Sequence, residues 1–184
     1  MIDPLASRAL AVALGLLLLV AAWHKVAARD AFIAALDDYR LLPDGLVRPV
    51  AWLLPLIEAT LGLAWLAGIA RGSIALATIA TLTAYAAAMA INLRLGRWNI
   101  GCGCSFGGGA SGRDQPLSWS LVLRNLVLVV AAALAALPRS SRALGAYDWL
   151  TLVLALATLA TLYSGASQLM RNGAAIAAWR KLRD

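Results

Sequence analysis

Five runs of this chain stay apolar for about twenty residues each, and nothing else in the sequence restricts its fold as strongly. They fall at roughly 7–28, 50–70, 73–95, 117–137 and 147–170. A helix of about 20 residues crosses a hydrocarbon core about 30 Å thick. Inside that core every backbone N–H and C=O must be satisfied by the chain, which leaves only helices and closed barrels. No alternating β pattern occurs and Ala and Leu dominate the runs, so helices are predicted. Composition agrees: 62% of residues are hydrophobic and 14% charged, against about 25% charged in a soluble domain. The expected fold is all-α, a polytopic transmembrane bundle of four to five helices forming one domain over residues 1–184.

The stretch from Leu5 to Trp23 is followed by His24-Lys25 without a small-residue cleavage site. It therefore reads as a first anchor rather than a removable signal. Trp23, Trp52, Trp98, Trp119, Tyr147, Trp149 and Tyr163 stand at the ends of the runs, where interfacial anchors belong. Pro49 and Pro55 lie near the start of the second run, where the former costs little and the latter can kink the helix. After the first run, Phe32, Ile33, Leu36, Tyr39 and Arg40 recur at helical spacing. Asp30 is the expected N-cap and Pro43 the expected terminator of a short interfacial helix. It reads equally as a plain amphipathic connector or as a functional lid. The basic tail Arg171–Asp184, with Trp179, predicts a further surface helix. The net charge of +7 is a matter of topology and anionic lipid. The lipid bilayer is thus an expected partner, and no nucleic-acid partner is.

Five crossings put the first loop, the loop after the third run and the tail on one face. Polar residues gather there. His24 and Lys25 end the first run, Asn92 and Arg94 end the third, and Arg97 and Arg113 follow. Glu58 and Arg124 sit deeper, roughly 13 and 10 Å below that face at 1.5 Å per residue. An ionisable group within the membrane is costly unless paired and is functional by default. Glu58 and Arg124 are therefore expected to meet, as a structural ion pair or as part of a redox or proton path, with the structural role favoured. Asn125 is placed to complete their hydrogen bonding.

The chain has two cysteines, Cys102 and Cys104, in a segment with five glycines between Gly101 and Gly109. Two thiolates fall short of the four ligands of a closed structural metal site. A site made with His24, the single histidine, is the weaker alternative, and no metal or bound cofactor is expected. Burial as small hydrophobes suits a glycine-rich loop poorly. Exchange between dithiol and disulfide explains the pairing, the loop and the flanking cations. Arg97, Arg113 and the start of the helix near Leu117 favour thiolate. A disulfide spanning one residue closes a tight ring, so easy reduction is expected. His24 is either an ordinary interfacial residue or the proton acceptor for a thiol.

Several of these residues form a longer pattern. Asn92-Leu93-Arg94, Gly96-Arg97, Cys102-Gly103-Cys104, Gln115-Pro116-Leu117-Ser118-Trp119 and Leu123-Arg124-Asn125-Leu126 follow in order. Upstream stand His24-Lys25, Phe32, Tyr39-Arg40-Leu41-Leu42-Pro43 and Leu54-Pro55-Leu56-Ile57-Glu58; downstream stand Asp148-Trp149-Leu150, Tyr163 and Gln168. Taken together they resemble the MauE family of methylamine utilisation membrane proteins, within the wider DoxX-like group. The resemblance implies a multi-pass protein of the bacterial inner membrane. It also implies a part in maturation, by disulfide formation or export, of the small (beta) subunit of periplasmic methylamine dehydrogenase or a related amine dehydrogenase, beside a thioredoxin-like partner of the MauD type. The chain departs from the family pattern in having Gly101, not an acidic residue, before the first cysteine, and in the added stretch 105–112.

Three functions follow: a membrane thiol–disulfide oxidoreductase without a bound organic cofactor, a non-catalytic scaffold for the same subunit, and a small-solute carrier. The last is weakest, because no inverted repeat is visible. Charge and family disagree on orientation. Eleven of the sixteen Lys and Arg lie on the Cys-loop face: Lys25, Arg29, Arg40, Arg48, Arg94, Arg97, Arg113, Arg171, Arg180, Lys181 and Arg183. The positive-inside rule makes that face cytoplasmic. The resemblance implies a periplasmic face, and that is the expectation carried forward.

Overall fold

The computed structural model describes residues 2–69, 71–98, 100, 117–138, 140 and 142–181. They form α1 (Pro4–Ala27), α2 (Arg29–Asp38), α3 (Asp44–Ala67), α4 (Arg71–Arg94), α5 (Trp119–Ala136) and α6 (Ala146–Lys181). Contacts divide the chain into two units, Met1–Ser140 with α1 to α5 and Ser141–Asp184 with α6.

Among the described residues, four helices are long and apolar enough to cross a membrane: α1, residues Gly45–Ala67 of α3, Gly72–Arg94 of α4, and α5. The apolar part of α6, Ala146–Leu162, is shorter. The chain is thus an all-α multi-pass protein. Its surface confirms the solvent: Leu53, Leu56, Leu63, Leu76, Leu123 and Val127 are all more than half exposed. Ser7, Lys25, Glu58, Thr78, Asn92 and Asn125 are buried instead. Among apolar lipid tails, apolar side chains lose nothing by facing outward, and polar ones gain by facing each other.

Local chemistry fixes the ends of the elements. Asp3 caps α1, its Oδ1 accepting from the Leu5 N–H at 2.8 Å, and Pro4 takes the first helical position. Gly68, at φ 70°, closes α3 in the left-handed conformation that glycine adopts without strain. Ile2 donates to the Pro138 carbonyl at 3.0 Å and accepts from Ser140 N–H at 3.1 Å, which ties the N-terminus to the far end of α5.

Three expected boundaries move. α2 starts at Arg29 and has no side-chain cap, so Asp30 lies in its first turn, facing the positive end of the helix dipole. Ala28 donates to the His24 carbonyl and accepts from Phe32, and α2 therefore follows α1 after a one-residue kink. α2 stops at Asp38 because Arg40 turns left-handed at φ 49°, before Pro43 is reached. Pro43 is instead the residue before α3, which starts at Asp44 and holds both Pro49 and Pro55 inside it. An interior proline costs about 3 kcal/mol. Val47 and Ala51, which flank Pro49, are both buried, and α2 packs on α3. Finally, no separate surface helix covers the tail: α6 is unbroken for 36 residues to Lys181, roughly 54 Å at 1.5 Å per residue.

In the first unit α1 packs on α3 and α5, and α4 on α3 and α5. One core lies toward the α2 end and contains Tyr39, Met89, Leu93, Ile100, Leu117 and Leu121. The other lies toward the opposite end and contains Leu14, Leu18, Leu61, Trp65, Ala75 and Ala132. Trp65 is 2% exposed and donates its Nε1–H to Thr78 Oγ1 at 2.9 Å. This tryptophan belongs to the core, unlike the half-exposed Trp52, Trp98 and Trp119 of the helix ends.

Candidate functional site at the α2 end of the bundle

Four buried polar residues of the first unit, Lys25, Glu58, Asn92 and Asn125, lie in the half of the bundle where α2 follows α1 and packs on α3. At the centre is Glu58, fourteen residues into α3 and 1% exposed. Lys25, in the last turn of α1 and 3% exposed, donates from Nζ to Glu58 Oε1 at 2.5 Å and Oε2 at 2.7 Å. Tyr85 of α4 donates its hydroxyl to Oε1 at 2.9 Å. The ammonium also lies 5.2 Å from the Tyr85 ring centroid and 5.6 Å from that of Phe32 on α2. Four helices thus meet at one ion pair. The carboxylate offsets the ammonium, the hydroxyl takes up remaining acceptor capacity, and two ring faces replace water around the cation.

A second polar joint lies toward the end of α4. Asn92, fully buried, donates from Nδ2 to the Ala88 carbonyl at 3.1 Å and accepts at Oδ1 from Arg97 Nη1 at 3.3 Å. The same Nη1 donates to the Tyr39 carbonyl at 3.3 Å, which holds the end of α2 against α4. Close by, the Leu117 N–H is shared between the carbonyls of Trp98 and Ile100, at 3.1 and 3.2 Å. Ile100 and Leu117 are both buried in the core at this end. Ile100, two residues before Cys102, and Leu117 are therefore pinned together. Cys102 and Cys104, and Arg113, lie outside the described residues.

Among the described residues the cation at Glu58 is Lys25, not the expected Arg124. Equal depth was not sufficient, because α3 and α5 share no packing among the described residues whereas α1 and α3 are neighbours. Arg124 is half-buried on α5. Asn125 serves its own surroundings, donating to the Leu121 carbonyl at 2.9 Å and lying 3.8 Å from Met89 Sδ. His24 is half-buried in the last turn of α1, beside Lys25 in sequence.

Sequence reasoning missed the roles of Lys25, Tyr85 and Phe32. A signal for the first existed: Ser7, Ala11, Leu14, Leu18, Ala22 and Lys25 form one buried stripe at spacings of three and four. Lys25 continues the inward face of α1 and was never placed to snorkel outward.

Residues 4–138 match the family described as methylamine utilisation protein MauE. The chain belongs to the MauE family. The matched region coincides with the first unit, α1 to α5. Relatives carry the same description. The Paracoccus denitrificans protein is 39% identical over 132 residues, 72% of this chain and 69% of its own length. The Paracoccus versutus protein is 36% identical over 168 residues, 91% and 88% of the two chains. The Methylorubrum extorquens protein is 32% identical over 130 residues, 71% and 68%. No solved structure is significantly similar.

Proposed function

We propose that this multi-pass member of the MauE family works in methylamine utilisation as a thiol–disulfide relay of the bacterial inner membrane. Its client is the small subunit of an amine dehydrogenase, which it helps to mature by disulfide formation or export. The observation that carries the reading is the Cys102-Gly103-Cys104 pair in a glycine-rich segment, whose flanks Ile100 and Leu117 are fastened together at the polar end of the bundle. A client thiolate attacks the Cys102–Cys104 disulfide to give a mixed disulfide, and the second client thiol then displaces the cysteine. Two electrons and two protons pass from client to relay, and the disulfide of a thioredoxin-like partner of the MauD type takes them up. His24 is the proposed proton acceptor on this face. The Lys25–Glu58–Tyr85 cluster holds α1, α3 and α4 together.

Gel-shift trapping of free thiols in native membranes tests this. The pair should shift between oxidised and reduced forms when the thioredoxin-like partner is present or deleted, and replacing either cysteine by Ser should abolish active dehydrogenase while the protein stays in the membrane. A pair inert to oxidant, reductant and partner, or full dehydrogenase activity with both cysteines replaced, replaces the relay with a scaffold that escorts the subunit.

A further inference from the structure

The outer face of the α1–α3 pair holds a feature that the relay does not use. A groove of about 390 Å³ runs between the two helices, with Leu19, Ala22 and Trp23 of α1 facing Trp52, Pro55 and Ala59 of α3. All of its lining residues are apolar. From Leu19 to Val26 it extends roughly 10 Å along α1, at 1.5 Å per residue. The two small side chains, Ala22 and Ala59, leave the space, and the two tryptophans frame it.

The end of the groove toward α2 is cationic. Arg29, the first residue of α2, holds its guanidinium carbon 4.0 Å from the ring centroid of Trp52. Its Nε is buried and has no hydrogen-bond partner. Arg48, exposed, lies one turn before Trp52 on the same side of α3. A buried donor without an acceptor is costly, and the planar fork of a guanidinium fits a phosphate better than any neutral group does. The ring beneath Arg29 fixes the fork in place. Apolar groove, aromatic frame and unsatisfied cation thus follow one another from the membrane interior to its interface, the order in which a lipid presents tail and headgroup.

We propose that this groove binds one anionic phospholipid, with its phosphodiester on Arg29 and an acyl chain lying between Trp23 and Trp52. Zwitterionic lipids have the same tail but offer a headgroup whose own cation opposes Arg29 and Arg48, so the site discriminates by charge.

Native mass spectrometry of the delipidated full-length protein tests the proposal, with phosphatidylglycerol, phosphatidylcholine and inorganic phosphate added separately. One phosphatidylglycerol should bind per chain, at least tenfold more tightly than phosphatidylcholine, and inorganic phosphate alone should not be retained. Arg29→Gln should remove the preference, and Ala59→Phe, which fills the groove, should weaken both lipids. Equal binding of the two lipids by the unaltered protein overturns the proposal without any variant. So does retention of inorganic phosphate as strong as that of phosphatidylglycerol, which marks a free-anion site, or an undiminished preference in Arg29→Gln.

Discussion

Glu58 illustrates how one buried residue organises its surroundings. A carboxylate inside an apolar bundle is tolerable only when both oxygens are occupied, and Lys25 and Tyr85 occupy them. Removing one partner of a buried pair leaves an uncompensated charge, at a cost of about 3–5 kcal/mol in soluble proteins. Glu58→Gln or Lys25→Met alone should therefore lower the melting temperature of the detergent-purified protein and its level in the membrane. The double variant Lys25→Met/Glu58→Leu should recover most of the loss. If the double variant melts no higher than the worse single one, the pair is not what holds these helices. Arg40 supplies a second test at this scale. At φ 49° its Cβ is strained by roughly 1–2 kcal/mol, and a β-branched residue is worse there. Arg40→Gly should melt within a few degrees of the unaltered protein, whereas Arg40→Val should melt clearly lower; equal melting of the two would show that the turn carries no strain.

Among the elements, α1 and α3 set the frame because their backbones nearly touch. A Cβ added at Gly62 would lie 2.8 Å from Leu19 Cγ and 2.9 Å from the Gly15 carbonyl oxygen, and one added at Gly15 would lie 3.0 Å from the Gly62 oxygen. Close approach of small residues is how helices gain dispersion contact in lipid, where no hydrophobic driving force separates helix from solvent. Gly62→Val must push the two helices apart, at a cost of about 1–3 kcal/mol by analogy with overpacked cores. It should lower thermal stability, while valine at Gly45, where nothing lies within 4 Å of an added Cβ, should leave it unchanged. Equal effects at the two positions would remove the crossing as the cause. α2 shows the same dependence on neighbours. Its own sequence makes only a short amphipathic helix, and it is fixed by Phe32 above the Lys25 ammonium and by Arg97 on the Tyr39 carbonyl.

For the whole molecule, the coincidence of the family match, residues 4–138, with the first unit has a direct consequence. That unit contains both cores and the ion pair. A chain ending after Ser140 should insert, stay monodisperse in detergent and keep its melting transition; aggregation or loss of the transition would show that α6 completes the fold. Orientation is the second matter at this scale. If the Cys-loop face is periplasmic, as the proposed client requires, an impermeant maleimide should label Cys102 and Cys104 in intact, reduced cells. Labelling only after permeabilisation would put the face in the cytoplasm, as the count of Lys and Arg favours.

The sequence alone determined the solvent, the helical class and four of the spans, because apolar runs of membrane length admit few other structures. It also marked the polar residues that matter: Glu58, Asn92 and Asn125 are all buried. Their partners were decided only by the tertiary structure. Depth along a helix can be counted from the sequence, but the direction in which a residue faces depends on which helices are neighbours. Arg124 was expected near the depth of Glu58, yet α3 packs against α1, the helix that carries Lys25. The start of α3 was hidden because Pro43 and Pro49 read locally as breaks, whereas the helix begins at Asp44 and runs through Pro49 and Pro55.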